Sequence, residues 1–194
     1  MRMVCFYAIE TEGEVGQQTS PFLICANHTS YLDIFFMYSI LPKNKFVFMG
    51  KSEILSYPLV KTFFKRLNIP VFRNDRVKAA RSFIQAKRTI DLGWSVVIFP
   101  EGGIPEKPPQ MIPLKDGAFK LAKAAEIGIL PVTFANNYYL FSDPEYVFEG
   151  ARPGLARIIF HPFVSKERVC DSAVIDLNNF VFNAINSPLL KKFN

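Results

Sequence analysis

The stretch from Ser95 to Phe134 leaves little choice of fold. Ser95-Val96-Val97-Ile98-Phe99 puts four apolar residues in a row, and a strand of that kind needs both of its faces covered. Leu114 to Ile127 follows, with Leu114, Ala118, Leu121, Ala122 and Ala125 at helical spacing and Gly128 as the stop. Ile129 to Phe134 is again a strand. Strand, helix, strand in this order is the build of an α/β domain.

The rest of the chain repeats the alternation. Ser20 to Ala26 reads as a buried strand ending at Asn27, a capping-type residue, and an apolar helical segment from Leu32 to Leu41 stops before Pro42. Phe46 to Met49 is a short strand closed by Gly50, and Ile69 to Phe72 an edge strand because of Pro70. Val77 to Leu92 reads as a helix with Val77, Ala80, Phe83, Ile84 and Ile90 inward and Gly93 at the position just past its end. Arg157 to Phe160 gives a further strand and Val174 to Ile185 a closing helix. The expectation is α/β: a single domain over residues 1–194, with a largely parallel central sheet flanked by helices. Such sheets bind ligands beyond the carboxyl ends of their strands. Asn27-His28, Arg73 and Glu101-Gly102 all follow strand ends, so three motifs converge on one rim.

Composition excludes several classes. With 49% hydrophobic and 21% charged residues, the chain is not disordered. No apolar run approaches the ~18 residues needed to span a bilayer; the best, Ile34 to Leu41, is far shorter. Met1 to Glu10 lacks the basic flank, apolar region and cleavage site of a signal peptide. Three widely spaced cysteines, Cys5, Cys25 and Cys170, suit neither a disulfide framework nor a zinc cluster, which points to a reducing, cytosol-facing compartment. The net charge of +6 is unevenly placed: residues 43–91 hold twelve Lys/Arg against Glu53, Asp75 and Asp91, a local +9. Interleaved with Phe46, Phe48, Tyr57, Phe63, Phe64 and Phe72, this segment suits a nucleic acid, a phosphorylated substrate or an anionic membrane, or is simply a solvated face.

Two histidines are present, His28 and His161. His28 lies in Asn27-His28-Thr29-Ser30-Tyr31-Leu32-Asp33. If the ring sits just outside the following helix, the Asp33 carboxylate can reach it, fix its tautomer and stabilise its charged form, so that the ring takes a proton from a hydroxyl. The bland alternative is a capping Asn and His beside a surface Asp. His161, before Pro162, reads as a structural imidazole. There is no G-x-S-x-G, and a base acting on an incoming hydroxyl fits better than an acyl-enzyme. Phe99-Pro100-Glu101-Gly102-Gly103 follows the central strand, and its glycines let backbone N–H groups approach an anion. Arg73 and Arg76 stand between a strand and a helix N-terminus, where guanidinium groups and helix N–H groups make a phosphate site. No Walker loop, G-x-G-x-x-G or metal-ligand spacing occurs.

Taken in order, these motifs resemble those of the glycerolipid acyltransferases, the PlsC-like 1-acylglycerol-3-phosphate acyltransferases. Asn27 to Asp33 matches the first motif, N-H-x-S-x-x-D; Val71-Phe72-Arg73 the second; Phe99-Pro100-Glu101-Gly102 the third, F-P-E-G; and Ile129-Leu130-Pro131-Val132 the fourth. The resemblance runs from about residue 20 to residue 165. It implies that His28 is the general base and Asp33 its orienting partner in acyl transfer from a thioester of coenzyme A or acyl-carrier protein to a lysophospholipid hydroxyl, making phosphatidate. Arg73 would hold the acceptor phosphate, with Arg76, Lys51 and Asn27 as further binding candidates. Glu101 and Gly102 would shape the acceptor site, with a backbone N–H there facing the oxyanion. No metal or other cofactor is implied, and no nucleic acid. The location implied is the cytoplasmic face of a membrane, held peripherally. The chain departs from the pattern at Glu101-Gly102-Gly103-Ile104-Pro105, where the family continues E-G-T-R-S, so an expected arginine is absent. Asn68 or Ile69 stands where a glycine usually precedes the second strand, and only about twenty residues precede the first matched strand, where the family carries an apolar anchor. Either Arg73 and Arg76 carry the anion alone, or the acceptor is another lysolipid such as an ornithine type. A membrane- or nucleic-acid-binding module without catalysis is the reading of a different class.

Overall fold

The computed structural model describes residues 2–4, 7–16, 18, 20–51, 68–72, 75–141 and 151–190. Eight strands form one sheet: β1 (Arg2–Val4), β2 (Tyr7–Glu12), β3 (Leu23–Ala26), β4 (Phe46–Lys51), β5 (Ile69–Val71), β6 (Ser95–Ile98), β7 (Ile129–Phe134) and β8 (Gly154–Phe160). Their order is β1-β2-β8-β7-β3-β6-β4-β5. The run β7-β3-β6-β4-β5 is parallel throughout. β8 joins β7 antiparallel and carries β2 parallel to itself, and β1 closes the far edge antiparallel to β2. The sheet is largely parallel, as expected, and β5 with its Pro70 is the edge strand on its side. β1 and β2 are additions that the sequence reading did not contain.

Helices cover both faces. Among the described residues these are α1 (Leu32–Ile40), α2 (Arg76–Asp91), α3 (Gly117–Ala124), α4 (Asn137–Leu140), α5 (Lys166–Asp171) and α6 (Val174–Leu189). Strand residues alternate between two cores. Ile24, Ala26, Val97, Leu130, Val132 and Phe134 pack with Phe36 and Met37 of α1. Leu23, Cys25, Val96 and Ile129 pack with Ala86 of α2, Ala118 and Leu121 of α3, and Leu177 and Val181 of α6. Cys25 is the buried core residue it was read as, and Cys5 lies outside the described residues.

Two helix readings need correction. The buried stripe of α2 is Ser82, Ala86 and Ile90, four residues apart, while Val77 and Ile84 face solvent and Ala80 is exposed. Small residues on this stripe let the helix close on edge strand β5, where Ser82 Oγ donates to Pro70 O at 2.6 Å. α3 is shorter than the apolar spacing suggested. It ends where Glu126, not Gly128, takes the left-handed conformation at φ 50°. Gly128 is there for space: a Cβ would strike the Phe163 ring and sit 2.7 Å from Val164 O.

β3 and β6 are neighbours whose outgoing connections leave on opposite faces: β3 leads to α1 in one core, β6 to α3 in the other. This is the switch point of a doubly wound sheet, the place beyond the strands' carboxyl ends where such sheets bind ligands.

Candidate active site

The segment after β3 is an extended loop, not a helix. α1 starts only at Leu32, so Asp33 stands in its first turn and folds back over residues 28–30. Asp33 Oδ2 accepts from Thr29 N at 2.7 Å, Ser30 N at 2.9 Å and His28 Nδ1 at 3.0 Å. Its Oδ1 accepts from Asn137 Nδ2 at 2.7 Å. The carboxylate is wholly buried, and the His28 side chain is 13% exposed. An acceptor at Oδ2 means that Nδ1 carries the ring proton, leaving Nε2 as the free base. The ring stacks on Phe99, with centroids 4.1 Å apart and planes at 12°, and meets Tyr31 edge-on at 6.5 Å. Packing and hydrogen bonding together hold the imidazole in one orientation, which a general base requires.

Two of the expected binding residues, Asn27 and Glu101, tie the loop to the rest of the chain. Asn27 is fully buried, and both ends of its amide are engaged with one residue of β7: Nδ2 donates to Phe134 O at 3.0 Å and Oδ1 accepts from Phe134 N at 2.8 Å. It does not cap α1, and its amide is engaged with β7. Glu101 is 2% exposed and accepts backbone N–H groups from His28 (Oε1, 3.0 Å) and Ile112 (Oε2, 3.1 Å). Burial raises its carboxyl above the ordinary value, partly offset by those two N–H groups. It therefore fixes the backbone at His28. Gly102 needs to be glycine, since its φ is 90°, but its N–H donates to Phe99 O at 2.9 Å and is not free to meet an oxyanion.

Of the basic candidates, Lys51 and Arg76 belong to elements further along the sheet. Lys51 ends β4, in register with Val71 of β5, and its side chain lies outside the described residues. Arg76 is exposed at the first position of α2, behind the Asp75 cap. Arg73 lies outside the described residues, as does 52–67 with Tyr57, Phe63 and Phe64. His161, read as a structural imidazole, is half-buried: Thr133 Oγ1 lies 2.7 Å from its Nε2, and burial lowers its pKa. It lines a separate open cavity of about 560 Å³ with Glu12, Phe180 and Asn183.

The Acyltransferase family model matches residues 8–135. The chain belongs to that family. Among its relatives, the 1-acyl-sn-glycerol-3-phosphate acyltransferase of Saccharomyces cerevisiae is 31% identical over 150 residues, 75% of this chain and 48% of that protein. An uncharacterised acyltransferase of Schizosaccharomyces pombe is 30% identical over 190 residues, 95% of this chain and 66% of that protein. The crystal structure of the 1-acyl-sn-glycerophosphate acyltransferase PlsC from Thermotoga maritima shares the fold, with a TM-score of 0.76 over 95% of this chain and 72% of that one, at 22% identity. The chain spans about half the length of the curated relatives it matches.

Asn137 and Phe99 are the parts of the site that motif reading missed as such. The signal for Asn137 was present: Asn136-Asn137 comes one residue after β7, much as Asn27 comes directly after β3, a polar amide near a strand's carboxyl end.

Proposed function

We propose that this chain transfers a fatty acyl group from a thioester to the free hydroxyl of a lysophospholipid, with 1-acylglycerol-3-phosphate as the acceptor and phosphatidate as the product. The observation that carries the reading is the 3.0 Å contact between His28 Nδ1 and Asp33 Oδ2, on a carboxylate whose position is set by backbone N–H groups. His28 Nε2 takes the hydroxyl proton as the oxygen attacks the thioester carbonyl. The developing imidazolium is stabilised by Asp33. Collapse of the tetrahedral intermediate breaks the C–S bond, and the proton held on Nε2 passes to the departing thiolate, giving ester and thiol.

The acceptor phosphate is assigned to the basic end of the rim. β5 is three strands from β3, about 14 Å at ~4.8 Å per strand. Arg73, directly after Val71-Phe72, and Arg76 begin the connection there. A glycerol phosphate together with a long arginine side chain bridges such a span. The thioester carrier is coenzyme A or acyl-carrier protein. Among the described residues no helix is long and apolar enough to cross a membrane. The acceptor and the product of this reading are lipids, which assigns the reaction to a membrane surface, on its cytoplasmic face.

A second acceptor class is favoured by one observation: Gly103-Ile104-Pro105 stands where the family's third motif supplies an arginine. The test is a panel. A labelled long-chain thioester is offered with lysophosphatidate, lyso-ornithine lipid and glycerol 3-phosphate in turn, to wild type and His28→Ala. The expected result is transfer to lysophosphatidate, lost by at least the 10²–10⁴-fold typical of a general base in the variant. Transfer only to the phosphate-free acceptor would replace the first reading with the second. An unchanged rate in His28→Ala would remove the base.

A further inference from the structure

Asp33 has a partner that the first motif does not contain. Asn137, the first residue of α4, is wholly buried and donates through Nδ2 to Asp33 Oδ1 at 2.7 Å, short for an N–H···O bond and typical of a charged acceptor. Its own Oδ1 is buried and has no hydrogen-bond partner among the described residues. Leaving such an oxygen unpaired forfeits the hydrogen bonds it makes to water in the unfolded chain. Flipping the amide would be worse, because it would aim that oxygen at the carboxylate. The orientation of Asn137 is thus dictated by Asp33, and one end of a buried amide goes unsatisfied to keep it. Leucine has nearly the same shape and would carry no such cost.

The surrounding chain holds Asn137 in place from several directions. Asn136 accepts from Arg157 N at 2.9 Å and donates to Leu155 O at 2.8 Å, which pins the entry of α4 to β8. Ser30 Oγ donates to Phe141 O at 2.7 Å, which ties the exit of α4 to the loop carrying His28. The Asn27–Phe134 pair joins the same loop to β7. Three donors gather at Oδ2, whereas among the described residues Oδ1 meets Asn137 and a 3.5 Å contact from Thr29 Oγ1. Without the amide, the carboxylate is fixed along one edge and can turn about its own axis, carrying the Oδ2 lone pairs off the line to Nδ1.

We propose that Asn137 is a positioning residue for the base: it locks the Asp33 carboxylate, which in turn fixes the proton on Nδ1 of His28 and leaves Nε2 bare. It acts through Asp33 and touches no substrate. The proposal rests on the acyl-transfer reading for its kinetic arm only.

Asn137→Leu keeps the shape and removes the donor. Asn137→Asp keeps the shape and sets an acceptor against Asp33. Acyl transfer should fall about tenfold to a hundredfold in kcat for Asn137→Leu, part of the 10²–10⁴-fold a general base contributes. It should fall further for Asn137→Asp, with both KM values within twofold. With two histidines in the chain, nitrogen-15 NMR of the imidazole rings resolves His28 without any substrate. Wild type should show the Nδ1–H form, and Asn137→Leu should move toward the average of the two tautomers. If either variant unfolds, Asn137→Ala carries the same two readouts. A wild-type ring pattern in Asn137→Leu overturns the proposal, whether kcat is kept or lowered. If wild type transfers no acyl group but the ring pattern still moves, the acyl-transfer reading fails and the positioning role stands.

Discussion

Replacing Asp33 by asparagine separates the charge of this group from its geometry. In Asp33→Asn one carboxylate oxygen becomes an NH₂ donor, and the network decides which. At the Oδ2 position a donor would confront three others, from His28, Thr29 and Ser30. At the Oδ1 position it confronts chiefly the Asn137 amide, which can turn over and present the oxygen that is unpaired in the wild type. The new amide therefore keeps its carbonyl at Oδ2, His28 keeps its proton on Nδ1, and charge is what is lost.

The size of that loss follows from the contact. Nδ1 and Oδ2 are 3.0 Å apart. The charge centres lie somewhat further apart, and unit charges at about 4 Å attract by about 4 kcal/mol at an effective dielectric of about 20. Each 1.36 kcal/mol is about tenfold in rate, so acyl transfer should fall about a thousandfold. Stability should fall by only about 1–3 kcal/mol, because hydrogen bonds to a charged acceptor are exchanged for bonds to a neutral one. Asp33→Ala is the control. It strands Thr29 N, Ser30 N and Asn137 Nδ2 without their acceptor, and should cost about 3–5 kcal/mol. Single-turnover transfer and urea unfolding measure the two quantities. A rate loss below tenfold with the fold intact would show that the imidazolium does not use this charge. Equal stability of the two variants would refute the network.

Two other consequences are measurable. Gly128→Ala should lower stability by about 1–3 kcal/mol, since its Cβ meets the Phe163 ring and the Val164 carbonyl; an unchanged melting temperature would show that this contact yields freely. Burial raises the Glu101 carboxyl above its ordinary value of 4.5, so between that value and the raised one the folded chain holds a proton the unfolded chain has lost, and stability from this group falls as pH rises. Urea unfolding at pH 4.5 and pH 7 should show wild type gaining on Glu101→Gln at the lower pH, and a gain at the higher pH would contradict the assignment.

Local pattern made some of this legible and was silent on the rest for a physical reason. β6, β7 and α1 could be read because their apolar residues lie next to one another in the chain. The His28–Asp33 pair could be read because five residues and a turn suffice to close it. β2 escaped because its inward face amounts to Tyr7 and Ile9, too few for an alternation to stand out. Glu101, Asn27 and Asn137 were correctly seen as polar residues at strand ends, or could have been, but their partners lie 73, 107 and 104 residues away. Nothing in a motif states whether such a side chain faces a ligand or a backbone.

That distinction decides how the site works. Asn27, Glu101 and Asn137 are each buried, and each joins the His28–Asp33 segment to a different part of the chain: β7, the turn after β6, and α4. A base whose orientation is set this way needs the adjoining strand ends to be correctly placed before it can act. Damage at the carboxyl ends of β7 or β6 should therefore reach the rate before it reaches global unfolding, because a small shift of one tie moves the ring without exposing either core. The phosphate assignment has a different basis, since Arg73 and Arg76 follow an edge strand paired only with β4. Chemistry resting on a cross-tied centre and recognition resting on an edge can vary independently.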